Sequence, residues 1–189
     1  PEVTDSKSFG SSVAGRTKMF GIYERFKDHV QVAIGIGVVT AAEIDELGVD
    51  KAQAIAQAKA VLGTFDRLVY PPFVVVDGIN PPALNPSDAE KVMCVPKGDA
   101  LIPAVGLASI IAKATQLRTM REFDATYPGY GFSKHAGYGT KEHKAALVKL
   151  GPCPIHRRSY KPVREAAKGL PDLKMRPDLD ALLEELMDD

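Results

Sequence analysis

Apolar positions along this chain change their period several times, and each change predicts an element. Between Ser12 and His29, Met19, Phe20, Ile22, Tyr23 and Phe26 recur close to helical spacing. Alternation follows in Val30, Val32, Ala33, Ile34, Ile36 and Val38, with Gln31, Gly35 and Gly37 between them. That pattern predicts a strand with one crowded face and one smooth face. Thr40 and Glu43 have capping-box spacing and open a short helix that closes near Gly48. Asp50 is placed to cap the next, Ala-rich helix, expected to run to about Leu68 before Pro71-Pro72 breaks the chain.

Two wholly apolar runs come next. Phe73-Val74-Val75-Val76 leads into Asp77-Gly78, and Val92-Met93-Cys94-Val95 leads into Pro96-Lys97-Gly98-Asp99. Such short runs predict interior strands, apolar on both faces. Ala104 to about Thr126 reads as a long helix, small and apolar at first and then charged. A Gly- and Tyr-rich loop spans Gly129 to Gly139, and Thr140 caps a helix that Gly151-Pro152 ends. A short helix follows the basic residues after it, and Pro171 and Pro177 bracket a linker to an acidic helix over 178–188. Helices alternating with strands, without an internal repeat, predict an α/β fold.

Composition narrows this picture only a little. The chain has 189 residues, 45% apolar and 25% charged, as one ordinary globular domain would. No stretch approaches the ~20 uninterrupted apolar residues of a membrane helix. The opening Pro1-Glu2-Val3-Thr4-Asp5 is polar, unlike a signal peptide, and a start without Met points to processing or to a longer parent chain. Cys94 and Cys153 lack CxxC spacing and read as reduced thiols of a cytoplasmic protein. The zero net charge conceals a division. Pro128 to Lys168 carries nine Lys/Arg against two Glu, whereas Gly169 to Asp189 carries two basic residues against seven acidic ones. The basic stretch could follow a phosphate backbone, but charge alone favours a solvated face.

The sharpest chemical feature is a repeated device, an apolar strand that ends in Asp beside Gly. Asp77 and Asp99 are 22 positions apart. Carboxylates at neighbouring strand ends repel unless a cation lies between them, and their hard oxygens suit Mg²⁺ or Mn²⁺. Asp-Gly is also a common turn and Gly-Asp a common cap, so the pair weighs more than either member. The loop from Tyr127 to Thr140 interleaves aromatics and glycines with Lys134-His135, a composition suited to sugars and phosphates. Its tyrosines could equally pack down on the core. In His156-Arg157-Arg158-Ser159, two guanidiniums could grip phosphates. His135, His143 and His156 lack zinc-site spacing and are not read as ligands.

Taken in order, seven motifs resemble ribonuclease HII, the type 2 ribonuclease H. They are Asp5-Ser6-Lys7, Val76-Asp77-Gly78, Lys97-Gly98-Asp99, Ala108 to Lys113, Tyr127 to Phe132, Gly137 to Thr140, and His156 to Tyr160. The similarity runs from about Asp5 to about Ala167, nearly the whole chain. It implies a ribonuclease H-like mixed sheet flanked by helices, with a helical C-terminal region. Residues 1–127 are then the catalytic domain, and 128–189 are a substrate-binding loop and helices packed on the same domain. It also implies four metal-binding carboxylates, of which Asp77 and Asp99 match two; the others come from an adjacent Asp-Glu on the family's first strand. By the same matching, Tyr138 packs on the sugar at an RNA–DNA junction. Ser6 and Lys7 lie near the substrate backbone, with Lys7 the phosphate contact, while Arg157 and Arg158 contact substrate or brace the fold.

The departures carry their own expectations. Nothing before Asp5 resembles the family's Asp-Glu strand or its Gly-Arg-Gly. The natural protein is therefore expected to carry roughly 30–40 further residues at its start, two strands with their loops. The 189 residues alone are expected to be inactive. Ile79, and Gln116-Leu117 in place of the usual Arg-Asp, alter local contacts only. The implied activity is two-metal hydrolysis of RNA in RNA–DNA hybrids, with incision 5′ of ribonucleotides embedded in duplex DNA, by a cytoplasmic monomer in ribonucleotide excision repair. The alternative is a hybrid-binding module without catalysis. A nucleotide-binding α/β protein is a remote third, since no Gly-rich phosphate loop follows a strand.

Overall fold

A computed structural model describes residues 9, 12–27, 29, 32–65 and 71–168. The Asp5-Ser6-Lys7 motif and the acidic helix expected over 178–188 lie outside the described residues. Three helices come first: α1 (Val13–Phe26), α2 (Ala41–Leu47) and α3 (Val49–Leu62). Strands β1 (Phe73–Asp77) and β2 (Lys91–Val95) follow, and then α4 (Gly98–Leu101), α5 (Pro103–Thr126), α6 (Phe132–His135), α7 (Lys141–Leu150) and α8 (Lys161–Ala166). The chain is α/β, and its described sheet is a parallel pair.

Local signals set most helix ends. Ser12 accepts from the Gly15 N–H at 3.1 Å and caps α1. The Thr40–Glu43 capping box is closed in both directions, at 2.6 and 3.2 Å, and Gly48 ends α2. Helix α3 starts at Val49, so Asp50 sits in its first turn rather than at its cap, and the helix ends at Leu62, short of the expected Leu68.

The strand expected over Val30 to Val38 is not formed: the described part, residues 32–40, is neither helix nor strand. Alternation tells which residues share a face, but a strand also needs a partner with open hydrogen-bonding groups. Here the smooth Gly35–Gly37 face lies against α3, whose backbone groups are already paired within the helix. A methyl added at Gly35 would come within 2.0 Å of the Ala60 carbonyl oxygen, and at Gly37 within 1.8 Å of that of Ala56. Only glycine permits so close an approach. The Lys59 ammonium donates to the Val38 carbonyl at 3.0 Å and holds the end of the segment.

Strands β1 and β2 pair in parallel from Phe73 opposite Lys91 to Asp77 opposite Val95. Val74 and Val76 are buried, as expected of an interior strand. Strand β2 departs from that expectation, because Val92 and Met93 are more than a third exposed. Among the described residues its only strand partner is β1. Burial on both faces needs covering layers that the apolar run itself cannot supply.

The described residues gather into two compact units. One takes residues up to Val39 together with Val49–Thr115, and the other takes Thr40–Gly48 together with the chain from Gln116 onward. In the first, Met19, Ala52, Ala58, Val74, Val76, Val105, Ile110, Ile111 and Ala114 form the buried apolar set. In the second, Phe123, Tyr130 and Phe132 form a cluster against which Met120, Tyr127, Ala146, Cys153 and Ile155 pack.

Overpacking a site with no room costs roughly 1–3 kcal/mol. Gly37→Ala is therefore expected to lower the urea midpoint of unfolding at an unchanged m-value. Gly21→Ala is the control: nothing lies within 4 Å of its added methyl, so removing a mid-helix glycine from α1 should leave stability equal or raised. Equal stability of Gly37→Ala and the parent would contradict the close packing on α3.

Candidate active site and nucleic-acid interface

The carboxylate pair follows from the sheet. Two adjacent parallel strands end on the same side, so Asp77 and the turn after Val95 emerge together. The Gly78 N–H donates to the Val95 carbonyl at 3.0 Å and prolongs the pairing past the strand ends. Beyond Val95 the chain turns through Pro96 and Lys97 into α4. Lys97 has φ 60°, a left-handed backbone that costs a non-glycine residue roughly 1–2 kcal/mol. That turn lays Gly98 over the end of β1: a methyl built on Gly98 would meet the Asp77 Cα at 3.5 Å.

Asp99 follows at once. It sits in the first turn of α4 rather than at a strand end as the sequence pattern implied. Its side chain is only 5% exposed, whereas Asp77 is exposed. One carboxylate is thus buried and the other exposed. Both are hard oxygen donors of the kind a divalent cation takes. Among the described residues, no group of three or more His, Cys, Asp or Glu is placed to hold a metal ion.

The second unit builds the Gly- and Tyr-rich loop. The Asp124 carboxylate, on α5, accepts from the Phe132 N–H at 2.9 Å and from the Ser133 hydroxyl, which fixes the four-residue helix α6. Tyr130 stacks on Phe132, ring centroids 5.2 Å apart, and donates its hydroxyl to the Gly151 carbonyl at 2.7 Å. Burial pushes the Tyr130 phenol up to about 12. Tyr127 is half-buried against the same cluster. Tyr138 is the exception, with 62% of its surface exposed. Of the two roles open to the loop tyrosines, Tyr127 and Tyr130 take the packing role, and Tyr138 is left at the surface.

Lys134 is exposed on α6. The Arg157–Tyr160 turn is braced by a residue the sequence did not single out. The Asp45 carboxylate, on α2, accepts from the Arg158 N–H at 2.5 Å, the Ser159 N–H at 3.0 Å and the Ser159 hydroxyl at 2.5 Å. Burial would raise the Asp45 carboxyl, but those hydrogen bonds and the nearby Arg157 hold it below its ordinary value. The Arg157 guanidinium stands over the Tyr160 ring, 5.4 Å from its centroid. A cleft beside Tyr138 is lined by Gly137, Gly139, Lys144, Arg157 and Tyr160, with His143 and His156.

Those two histidines and His135 come together although nothing in their spacing announced it. His143 Nε2 lies 3.2 Å from His156 Nε2, and the His135 and His143 rings stack at 4.3 Å. Burial pushes the His156 imidazole down to about 4, aided by its neighbour His143, and burial lowers His143 as well. Burial also pushes the Cys153 thiol, 3.1 Å from His156 Nδ1, up to about 12. In the unfolded chain these imidazoles titrate near 6.5, so below that pH the unfolded state binds more protons than the folded one.

Stability should therefore be complete above about pH 6.5 and decline as the pH falls toward the folded value, His156 alone contributing up to roughly 3 kcal/mol. Urea titrations across this range check the slope, which His156→Gln should flatten. Stability that rises on acidification would contradict the buried neutral pair.

Comparison with known proteins gives one answer. A family model described as Ribonuclease HII matches residues 2–163. The ribonuclease HII of Thermus thermophilus is 42% identical over 149 residues, covering 79% of this chain and 69% of the relative. That of Halorhodospira halophila is 45% identical over 138 residues, covering 73% and 69%. The Geobacter metallireducens protein is 40% identical over 167 residues, covering 87% and 71%. Among solved structures, the ribonuclease H2 from Pyrococcus horikoshii OT3 superimposes with a TM-score of 0.59 at 20% identity, covering 85% of this chain and 82% of that one, a likeness of fold.

Proposed function

From the premise that this chain belongs to the ribonuclease HII family, we propose that it hydrolyses RNA in RNA–DNA hybrids and incises duplex DNA on the 5′ side of embedded ribonucleotides. Membership makes it a ribonuclease H-type nuclease; the substrate form, the metals and the residue roles are our reading. The observation that carries it is the pairing of β1 with β2, which puts Asp77 and Asp99 at one end of two adjacent parallel strands, with Gly98 against the Asp77 backbone.

Asp77 and Asp99 would hold Mg²⁺ or Mn²⁺, together with further carboxylates outside the described residues. Their hard carboxylate oxygens fit such an ion, which would offset the cost of burying Asp99. When bound, two such ions supply an activated water and a stabilised leaving oxygen, giving 3′-hydroxyl and 5′-phosphate ends.

The rest falls to the protein's own side chains. The exposed Tyr138 ring packs on the sugar at the RNA–DNA junction, where the 2′-hydroxyl distinguishes RNA from DNA. Lys134, Arg157 and Arg158 supply positive charge for the phosphate backbone, and the Asp45 brace holds the two arginines in one turn. Ser6 and Lys7 belong to the same reading, as backbone contacts. Free cysteines at Cys94 and Cys153 accord with a cytoplasmic location.

The test is cleavage by the full-length protein of a duplex with one embedded ribonucleotide. Asp77→Asn and Asp99→Asn should each lower the rate by on the order of 1000-fold while leaving duplex binding in place. Cleavage by Asp77→Asn at the parent rate would refute the assignment of that carboxylate. Specific binding without cleavage by the full-length parent, in Mg²⁺ or Mn²⁺, would instead favour a binding module.

A further inference from the structure

We propose that His143 is a positioning residue that sets the placement of Tyr138 through its backbone carbonyl, with His156 and the Cys153 backbone N–H choosing the tautomer that makes this possible. The inference deepens the reading of Tyr138 as a substrate contact and rests on it.

The loop has little stiffness of its own. Tyr138 lies between Gly137, at φ 79°, and Gly139, and its ring is largely exposed. Its position is held through its backbone. The Tyr138 N–H donates to the His135 carbonyl at 2.9 Å, and the Tyr138 carbonyl accepts from the Thr140 N–H at 2.8 Å. A further tie comes from a side chain: His143 Nδ1 lies 2.9 Å from the Tyr138 carbonyl oxygen. A carbonyl only accepts, so this contact requires the proton on Nδ1.

The neighbouring groups place the proton there. The Cys153 backbone N–H donates to His156 Nδ1 at 3.0 Å, and a backbone amide can do nothing but donate. His156 Nδ1 is thereby bare, and its proton lies on Nε2. That Nε2–H points at His143 Nε2, 3.2 Å away, which must accept. In neutral His143 the proton is then on Nδ1, facing Tyr138. The ring has no freedom to swing: it stacks on His135 at 4.3 Å and meets Phe132 edge-on at 5.4 Å. His143 itself is fixed on α7, whose cap, Thr140, accepts from the His143 N–H at 3.2 Å. One donor-only amide thus orders two imidazoles, and the second imidazole holds the loop.

Asparagine and glutamine separate this role from packing. The Asn amide nitrogen occupies the place of Nδ1 and can still donate to Tyr138, whereas the Gln amide occupies the place of Nε2 and cannot. In the full-length protein, His143→Asn should keep kcat/KM on a single-ribonucleotide duplex within about 3-fold of the parent, and His143→Gln should lose on the order of 10-fold. In a Tyr138→Ala background the difference between Asn and Gln should vanish. Equal losses for Asn and Gln, with Tyr138→Ala itself damaging, would overturn the positioning role alone. A Tyr138→Ala protein with parent kinetics would overturn the substrate reading and this proposal with it. A measurement on the unaltered protein needs no variant to fold: imidazole ¹⁵N shifts should report Nδ1–H for His143 and Nε2–H for His156. The opposite tautomer at His143 refutes the proposal.

Discussion

Parallel pairing of two five-residue strands is the constraint from which the candidate active site derives. Strands running the same way end on the same side, so any side chain at or just past their ends is brought to one place. β1 delivers Asp77 directly. β2 delivers Asp99 through the Lys97 turn, and the missing Cβ of Gly98 lets that turn lie against the Asp77 backbone. Had the strands been antiparallel, the two carboxylates would have emerged at opposite ends of the sheet.

Strain accompanies this arrangement. Among the described residues, the two non-glycine positions with left-handed backbone are Lys97 and Ala136. Each stands two residues before a candidate site residue, Asp99 in one unit and Tyr138 in the other. Backbone in sparsely populated conformations persists only where its surroundings hold it, and it concentrates at functional sites. Around Ala136 the holding groups are visible: the Ala136 N–H donates to the Phe132 carbonyl at 2.7 Å, and Gln116 reaches the Ala136 carbonyl at 3.4 Å. Hydrogen-bonded support recurs beneath other candidate site residues, in the histidine network at Tyr138 and in the Asp45 brace of the Arg157–Ser159 turn. Asp45 lies more than a hundred positions from the turn it braces and belongs to none of the motifs.

The sequence read most clearly where the determinant is local. Helix α1, the Thr40–Glu43 box, the Thr140 cap and the long helix before Thr126 each depend on residues a few positions apart, and each is present in the structure. The family was legible for a related reason, since short motifs in a fixed order survive in sequence. Reading failed where a partner was required. Residues 32–38 alternate like a strand but meet a helix, and β2 is apolar throughout yet partly exposed.

The two Gly-Tyr-Gly triplets mark the boundary most sharply. Gly129-Tyr130-Gly131 and Gly137-Tyr138-Gly139 are the same tripeptide; composition left the same two roles open to their tyrosines, and only the family resemblance singled out Tyr138. In the folded unit Tyr130 is 8% exposed and bonded to Gly151, while Tyr138 is 62% exposed. Sequence alone determined the Thr40 and Thr140 caps, the family and the candidate carboxylates, because those depend on side chains read in order. Which tyrosine faces outward and which carboxylate is buried were decided by tertiary structure. Burial and hydrogen-bond partnership are properties of neighbours that the chain brings together only when it folds.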